Sequence, residues 1–166
     1  AMLYRPSDWT LMEELKSVEW VTSVSARADG TAVALGTCPD ASETSIGGRV
    51  EYWALSGSWS LAWTEPNPGC SLGIDISPSD GAIAATSLDG GLTVWSSDGE
   101  MRFNQPGIGG TVAQFDNSGS RIAIGGEGSI VVVDATTGVR VAEVGGFDGT
   151  VFGVAWSPME LDIIFG

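Results

Sequence analysis

The residue types that most often carry out chemistry in proteins are few or widely spaced in this chain. The sequence contains no histidine, which removes the commonest general base near neutral pH and the commonest transition-metal ligand. Its two cysteines, Cys38 and Cys70, lack the paired spacing of a zinc site. Its 21 Asp and Glu residues fall mainly in turns, without the dense ligand spacing of a calcium loop. The sequence therefore predicts no catalytic residues, no metal site and no cofactor, and a protein that is not an enzyme.

The balance of charge favours some partners over others. Seven Lys and Arg residues against 21 Asp and Glu residues give a formal net charge of −14. We expect neither nucleic acid nor a membrane surface as a partner, because both are bound through clustered basic side chains. A protein or peptide partner of basic character fits this charge. The compartment stays undetermined, with the cytoplasm as the default expectation.

A pattern of alternating apolar residues recurs four times along the chain. Ala26, Ile76, Phe115 and Trp156 mark equivalent places, which lie 50, 39 and 41 residues apart by subtraction. Each mark ends a short strand with period-two alternation, and a turn and a second strand follow it. After the first three marks, a third and a fourth strand complete the repeat. Repeats of four strands in about 40 residues predict the blades of a β-propeller.

Several of these segments resemble the WD40 repeat family. Residues 87–95 (SLDGGLTVW) are similar to that family's turn Asp and strand Trp, and residues 130–138 (IVVVDATTG) to its strand that ends in Asp before Thr-Gly. Residues 77–78 and 156–158 match its Ser-Pro turn. The Gly-His dipeptide of the family is missing. Its buried hydrogen-bond network of His, Ser/Thr, Asp and Trp is therefore expected to be absent or incomplete in every blade.

The resemblance implies an all-β propeller that acts as a non-enzymatic scaffold and binds protein or peptide partners on one face of its ring. Loops that join the fourth strand to the first, and the second to the third, meet on that face. The candidate contact residues there are Trp20, Glu43, Asn67, Gln105, Phe147 and Asp148. Residues 38–48 form an insertion that is either a recognition loop or a tolerated surface loop. The alternative functions are a small-ligand or glycan-binding propeller, and an engineered or excised propeller fragment with no function of its own.

The repeats predict three whole blades and one split between the two ends of the chain. Residues 1–16 supply the outer strands of the split blade, residues 17–66, 67–106 and 107–147 each supply a blade, and residues 148–166 supply the inner strands. Rings of the WD40 family usually have seven or eight blades. Three assemblies remain: an eight-bladed homodimer, a piece of a larger propeller, and a closed ring of four blades. We expect the homodimer, because oligomers tend to close with two-fold symmetry.

The cysteines and tryptophans are placed by the same repeats. Cys38 and Cys70 fall on the candidate face in neighbouring blades, and the sequence leaves open whether their Cα atoms lie within the roughly 7 Å that a disulfide needs. Trp53, Trp95 and Trp156 occupy repeat-equivalent inward positions, where we expect core packing.

Overall fold

The computed structural model describes residues 1–39, 47–87, 91–157 and 163–166. Within these ranges every regular element is a β-strand, and none of the described residues belongs to a helix long and apolar enough to cross a membrane. The strands are β1 (Met2–Arg5), β2 (Thr10–Glu14), β3 (Trp20–Ala26), β4 (Ala32–Cys38), β5 (Gly48–Ser56), β6 (Ser58–Asn67), β7 (Ser71–Ile76), β8 (Ile83–Ser87), β9 (Gly91–Trp95), β10 (Met101–Pro106), β11 (Val112–Phe115), β12 (Arg121–Gly125), β13 (Glu127–Asp134), β14 (Arg140–Thr150), β15 (Val154–Trp156) and β16 (Ile163–Phe165).

The strands form three antiparallel sheets of four strands each, in chain order, between two pairs of strands. We call β3–β6, β7–β10 and β11–β14 the first, second and third sheets, β1–β2 the N-terminal strand pair, and β15–β16 the C-terminal strand pair. The predicted all-β fold class, with three complete four-stranded units and two half units, is confirmed. The second-strand segment expected from residue 161 is described only from Ile163, because residues 158–162 lie outside the described ranges.

The core lies between neighbouring sheets, each of which offers one apolar face to the sheet before it and another to the sheet after it. Ile74 and Ile76 of β7 face the first sheet, as period-two alternation requires. The second strands need apolar residues on both faces, which explains why β4 and β8 are buried along their whole length. The side chains buried between the second and third sheets include Ala82, Ala84, Leu92, Val94, Ala113, Phe115, Ile122, Ile124 and Val133.

Polar side chains hold the turns that join first and second strands. In the third sheet the buried carboxylate of Asp116 accepts hydrogen bonds from the backbone N–H groups of Ser120 and Arg121, and it pairs with the Arg121 Nε at 2.8 Å. Burial raises the pKa of Asp116, but these hydrogen bonds outweigh burial and hold it below its usual range. The Asp at this turn is therefore a structural residue, as its sequence context suggests.

Two of the three inward tryptophans are less buried than expected, and one strand boundary differs. Trp95 lies in the core, as predicted, and Trp53 is half-buried but packs against the core residues Val33 and Leu35, whereas Trp156 is only half-buried. β14 extends past residue 147, where the sequence analysis ends the third unit, because Thr150 still pairs with Glu127 of β13.

Candidate functional site

The loops that join fourth to first strands and second to third strands lie together on one surface, which we call the loop face. It comprises residues 15–19, 39, 47, 68–70, 107–111, 126 and 151–153. Backbone hydrogen bonds tie neighbouring loops together, from Gly48 N–H to the Gly69 carbonyl, from Thr111 N–H to the Gly125 carbonyl and from Val151 N–H to the Gly126 carbonyl. The loop face is thus held by the sheets beneath it, as binding loops on rigid scaffolds are.

A disulfide joins two sheets at this face. Cys38 at the end of β4 is bonded to Cys70, which precedes β7, and their Cα atoms lie 4.6 Å apart. Both side chains are buried. The pairing that the sequence leaves open is therefore present. It fixes the end of β4 in the first sheet to the start of β7 in the second.

A buried glutamate organises the first sheet beneath the loop face. Glu51 of β5 accepts hydrogen bonds from the Ser17 hydroxyl at 2.7 Å and from the Trp53 indole N–H at 3.0 Å. Ser17 lies in the loop that precedes β3, so this carboxylate ties that loop to the third strand. A buried charge is tolerated when its oxygens are hydrogen-bonded in this way.

A second glutamate continues the network. Glu19, in the same loop as Ser17, accepts a hydrogen bond from the Thr37 hydroxyl of β4 and pairs with the Arg49 Nε at 3.3 Å. Without histidine, the loop-to-strand network of the WD40 family is expected to be absent or incomplete. In the first sheet a network is nevertheless present, and carboxylates build it.

Asn67, a predicted partner contact, lies in the interior. Its side chain is only 2% exposed, because it ends β6 and turns toward the second sheet. The Asn67 Nδ2 donates to the Ser71 hydroxyl at 2.8 Å, and its Oδ1 accepts a 3.4 Å hydrogen bond from Thr93. Asn67 therefore supports the loop face from below and offers no surface to a partner.

Gln105, Phe147 and Asp148 lie in outer strands rather than in loops. Gln105 of β10 is half-buried against the turn of the third sheet, where a Cβ on Gly138 would come within 2.9 Å of its Nε2. Phe147 is half-buried and Asp148 is exposed, and both belong to β14 because that strand continues to Thr150. The structure does not bring these three residues together with Trp20.

Trp20 is the predicted contact residue with the most open surface. It begins β3 and is 67% exposed. It lines a shallow depression of about 350 Å³ together with Val18, Glu19, Val21 and Pro39. Glu43, the remaining predicted contact, lies outside the described residues.

A groove that the sequence does not predict opens on the loop face. It measures about 370 Å³ and opens beside the loop between the second and third sheets. Its charged residues are Glu127, Glu143 and Arg140, and the last two form an ion pair. The other lining residues are Gly107, Ile108, Gly109, Gly110, Thr111, Gly126, Ser129, Val131 and Thr150.

Glycines let the loops beside the groove approach each other closely. Gly126 approaches the loop before β11 so closely that a Cβ on it would lie 2.9 Å from the Gly109 carbonyl oxygen. The glycine string of residues 107–110 is the only sequence signal of this groove, and it carries no charge pattern. Among the described residues, no three His, Cys, Asp or Glu side chains lie close enough to hold a metal ion.

Comparison with known proteins shows the fold alone. No protein family model and no curated protein matches the sequence. The crystal structure of Chaetomium thermophilum Sqt1 bound to the N-terminus of the ribosomal protein L10 is similar, with a TM-score of 0.72 and 20% identity over 86% of this chain and 39% of that chain. Another Sqt1 structure from the same organism has a TM-score of 0.71 and 18% identity over 86% of this chain and 42% of that chain. This chain thus spans less than half the length of its structural neighbours and forms part of a β-propeller.

Proposed function

We propose that this chain is a non-enzymatic scaffold of divergent WD40 repeats that binds a protein or peptide on its loop face. The observation that carries the proposal is the groove beside residues 107–111, because it is a concavity of about 370 Å³ whose walls are positioned by two sheets. Sqt1, a structural neighbour, is bound to the N-terminus of a ribosomal protein in its crystal structure, which supports a peptide as the partner.

The partner is a basic segment. Two carboxylates and one guanidinium line the groove, so one negative charge remains after Arg140 pairs with Glu143. The whole chain carries a formal charge of −14, which steers cations toward it and repels anions. The described carboxylates Glu51, Asp116 and Asp134 accept structural hydrogen bonds, which fits a role without catalysis.

Fluorescence anisotropy with labelled peptides tests this proposal. A ten-residue peptide of alternating Lys and Gly should bind, its Glu and Gly counterpart should not, and binding of the first should weaken as salt is raised. The double substitution Glu127→Gln with Glu143→Gln should weaken binding about three- to tenfold, since each exposed charge pair contributes roughly 0.5 kcal/mol.

The matched control is Glu13→Gln with Glu100→Gln, which makes the same change in net charge at exposed positions outside the groove. This control should retain the affinity to within a factor of about two, by long-range electrostatics alone. If both double variants lose the same affinity, net charge attracts the peptide and the groove does not bind it. If the Lys and Gly peptide does not bind even at low salt, the proposal is contradicted.

Glycan binding is a second candidate, which the exposure of Trp20 favours. An open indole in a shallow depression offers an apolar face on which a sugar ring can stack. A glycan array separates the two functions. A signal that Trp20→Ala abolishes, without binding of the basic peptide, would replace the peptide-binding proposal.

The proposal includes a homo-oligomer in which two copies complete an eight-bladed ring. One copy has three four-stranded sheets, and a pair of strands lies at each end of its arc. Two such copies contain the strands of eight blades, and closed symmetry is the usual arrangement of identical subunits. In that ring the loop face would be continuous.

A further inference from the structure

The first sheet has an apolar surface that its neighbours do not have. Val24, Ile74 and Ala113 hold equivalent register positions in β3, β7 and β11, because their partners Leu35, Ala85 and Ile124 hold equivalent positions in the second strands. The preceding sheet covers Ile74 and Ala113, which are 7% and 4% exposed, whereas Val24 is 61% exposed. The sheet that should cover Val24 is therefore incomplete.

The N-terminal strand pair supplies only the outer half of that covering sheet. Leu3 of β1 and Leu15, which directly follows β2, pack against Val33 and Leu35 of β4, and the inner strand β3 is left uncovered. Among the described strands, β1 pairs only with β2, so its other edge carries backbone donors and acceptors without a strand partner.

Bulges set the register of β1 within the repeat. The pairing of third and fourth strands shifts between Tyr52 and Trp53, between Val132 and Val133, and likewise between Leu3 and Tyr4. Tyr4 therefore holds the position of Trp53 and Val133. Each of those residues also pairs with a second strand, Trp53 with Val33 and Val133 with Ile122.

The C-terminal strand pair contains the missing inner half. β15 pairs with β16 so that Trp156 lies opposite Ile163, just as Phe115 lies opposite Ile122 in the third sheet. Ile163 thus takes the register position of Ile122. In the described part of the chain, β16 has no third strand beside it. The two strand pairs are complementary halves, and the three sheets of one copy separate them.

The turns between third and fourth strands show how neighbouring sheets pack against each other. Gly99 of the second sheet lies under the Trp63 ring of the first, where a Cβ would be 3.1 Å from Cγ. Gly138 of the third sheet lies under the Phe103 ring of the second, where a Cβ would be 2.8 Å from Cδ2. At both junctions a large aromatic residue on the outer strand meets a glycine on the next turn.

At the junction that would follow the third sheet the two sizes are exchanged. Trp9 holds the turn position of Gly99 and Gly138, and it has the left-handed φ of 56° that glycine normally supplies. Ala142 holds the strand position of Trp63 and Phe103, since it pairs with Val132 just before the bulge. Trp9 is 77% exposed in one copy. A strained, exposed Trp is explained if it packs on the small Ala142 of another copy.

We propose that a second copy of this chain completes the missing blade, with β16 of one copy paired antiparallel to β1 of the other, Ile163 opposite Tyr4, and Trp9 packed over Ala142. This inference rests on the ring that the proposed function includes, and it names the surfaces that form it. Two-fold symmetry forms this junction twice, so the N-terminal and C-terminal strand pairs of both copies are all paired.

Exchanging the sizes of Trp9 and Ala142 tests the junction. Light scattering after gel filtration should give twice the 17.1 kDa of one chain for the wild type. Trp9→Gly should weaken the dimer at least tenfold, although glycine suits this φ and the folded chain should be no less stable. Ala142→Trp should also weaken it by a clash with Trp9. The double variant should restore dimerisation, because it recreates the aromatic-over-glycine contact of the other junctions.

Val24 provides a matched pair of variants. Val24→Asp should prevent dimerisation, since it buries a carboxylate in the junction. Met101→Asp should not, because Met101 has nearly the same exposure (63%) and lies in β10 of the second sheet, away from the junction. Far-UV circular dichroism confirms that each variant is folded.

Cross-linking tests the register directly. Oxidation of the Tyr4→Cys, Ile163→Cys variant should give a covalent dimer on a non-reducing gel, whereas Thr10→Cys with Ile163→Cys should not. The native cysteines are already bonded to each other. A monomeric wild type at micromolar concentration, or a cross-link within one chain, overturns the inference. The groove lies within one copy, so peptide binding by a monomer would keep the proposed function while this inference fails.

Discussion

Reduction of the Cys38–Cys70 disulfide should lower the stability of the fold without changing its strands. The two cysteines are 32 residues apart, so the cross-link restricts the unfolded chain across a loop of that length. The chain-entropy relation for a loop of this size corresponds to about 3.7 kcal/mol at 25 °C. Both sulfurs are buried among strands that many other contacts hold. We therefore expect the reduced protein to be folded and less stable by about this amount.

Urea unfolding with and without a reductant measures the effect. The protein concentration is kept fixed, because any subunit association makes the midpoint depend on it. For a urea m-value of roughly 2 kcal/mol per molar, the midpoint of the oxidised chain should lie about 2 M above that of the reduced chain. The fluorescence of the seven tryptophans reports the transition.

The double variant Cys38→Ala with Cys70→Ala separates the cross-link from other effects of the reductant. Its midpoint should lie near that of the reduced wild type and should not respond to the reductant. If reduction of the wild type changes the free energy of unfolding by less than about 1 kcal/mol, the loop-entropy reasoning is wrong for this protein. A reductant effect of equal size on the double variant would refute it as well.

Four further substitutions address the turns and the buried network. Asp116→Asn should lower the free energy of unfolding at pH 7 by about 2 kcal/mol. Because the pKa of Asp116 is lowered in the fold, its contribution to stability is present above the ordinary pKa and is lost as pH falls through the lowered value. Urea titrations at falling pH should therefore show a smaller acid-induced decline in stability for the variant than for the wild type. Gly57→Ala and Gly138→Ala should each lower the free energy of unfolding by about 1 kcal/mol, because both glycines have a positive φ. Gly138→Ala should cost roughly 1 kcal/mol more, because its Cβ meets the Phe103 ring. Equal losses of stability in thermal unfolding of the two variants would contradict that contact. Glu51→Gln should destabilise by about 2 kcal/mol, since an amide cannot accept both of its hydrogen bonds as well as a carboxylate, and a loss below about 0.5 kcal/mol would show that the network contributes little.

Local patterns predicted the strands because strand identity in this chain is local. Alternating apolar residues before Ile76 and Phe115 reflect one face of a strand, and turn-forming residues follow each of them within a few positions. The same local rules failed where a partner strand decides. β14 continues to Thr150 because Glu127 of β13 is there to pair with it, and no pattern within β14 shows this.

The contact residues were harder to predict because burial depends on neighbouring sheets. Asn67 is polar and close to a loop, which favoured a surface position, but Ser71 and Thr93 of the second sheet accept and donate its hydrogen bonds in the interior. The disulfide depends on the distance between two sheets. The groove is lined by loops and strands that lie apart in the sequence. Its acidic residues Glu127 and Glu143 are therefore separated in sequence and share no motif.

In the first sheet, carboxylates rather than a histidine tie the loop before β3 to the strands beneath it. In the WD40 family, which these repeats resemble, a histidine takes part in a buried network with a strand hydroxyl and a Trp. Here Glu19 binds the strand hydroxyl of Thr37, and Glu51 binds the Trp53 indole. Carboxylates can accept these hydrogen bonds, as a neutral ring nitrogen would. Arg49 pairs with Glu19, and Glu51 accepts a further hydrogen bond from the Ser17 hydroxyl. The sheets thus keep the backbone of a β-propeller with carboxylates, and no histidine, in the network that ties this loop to its strands.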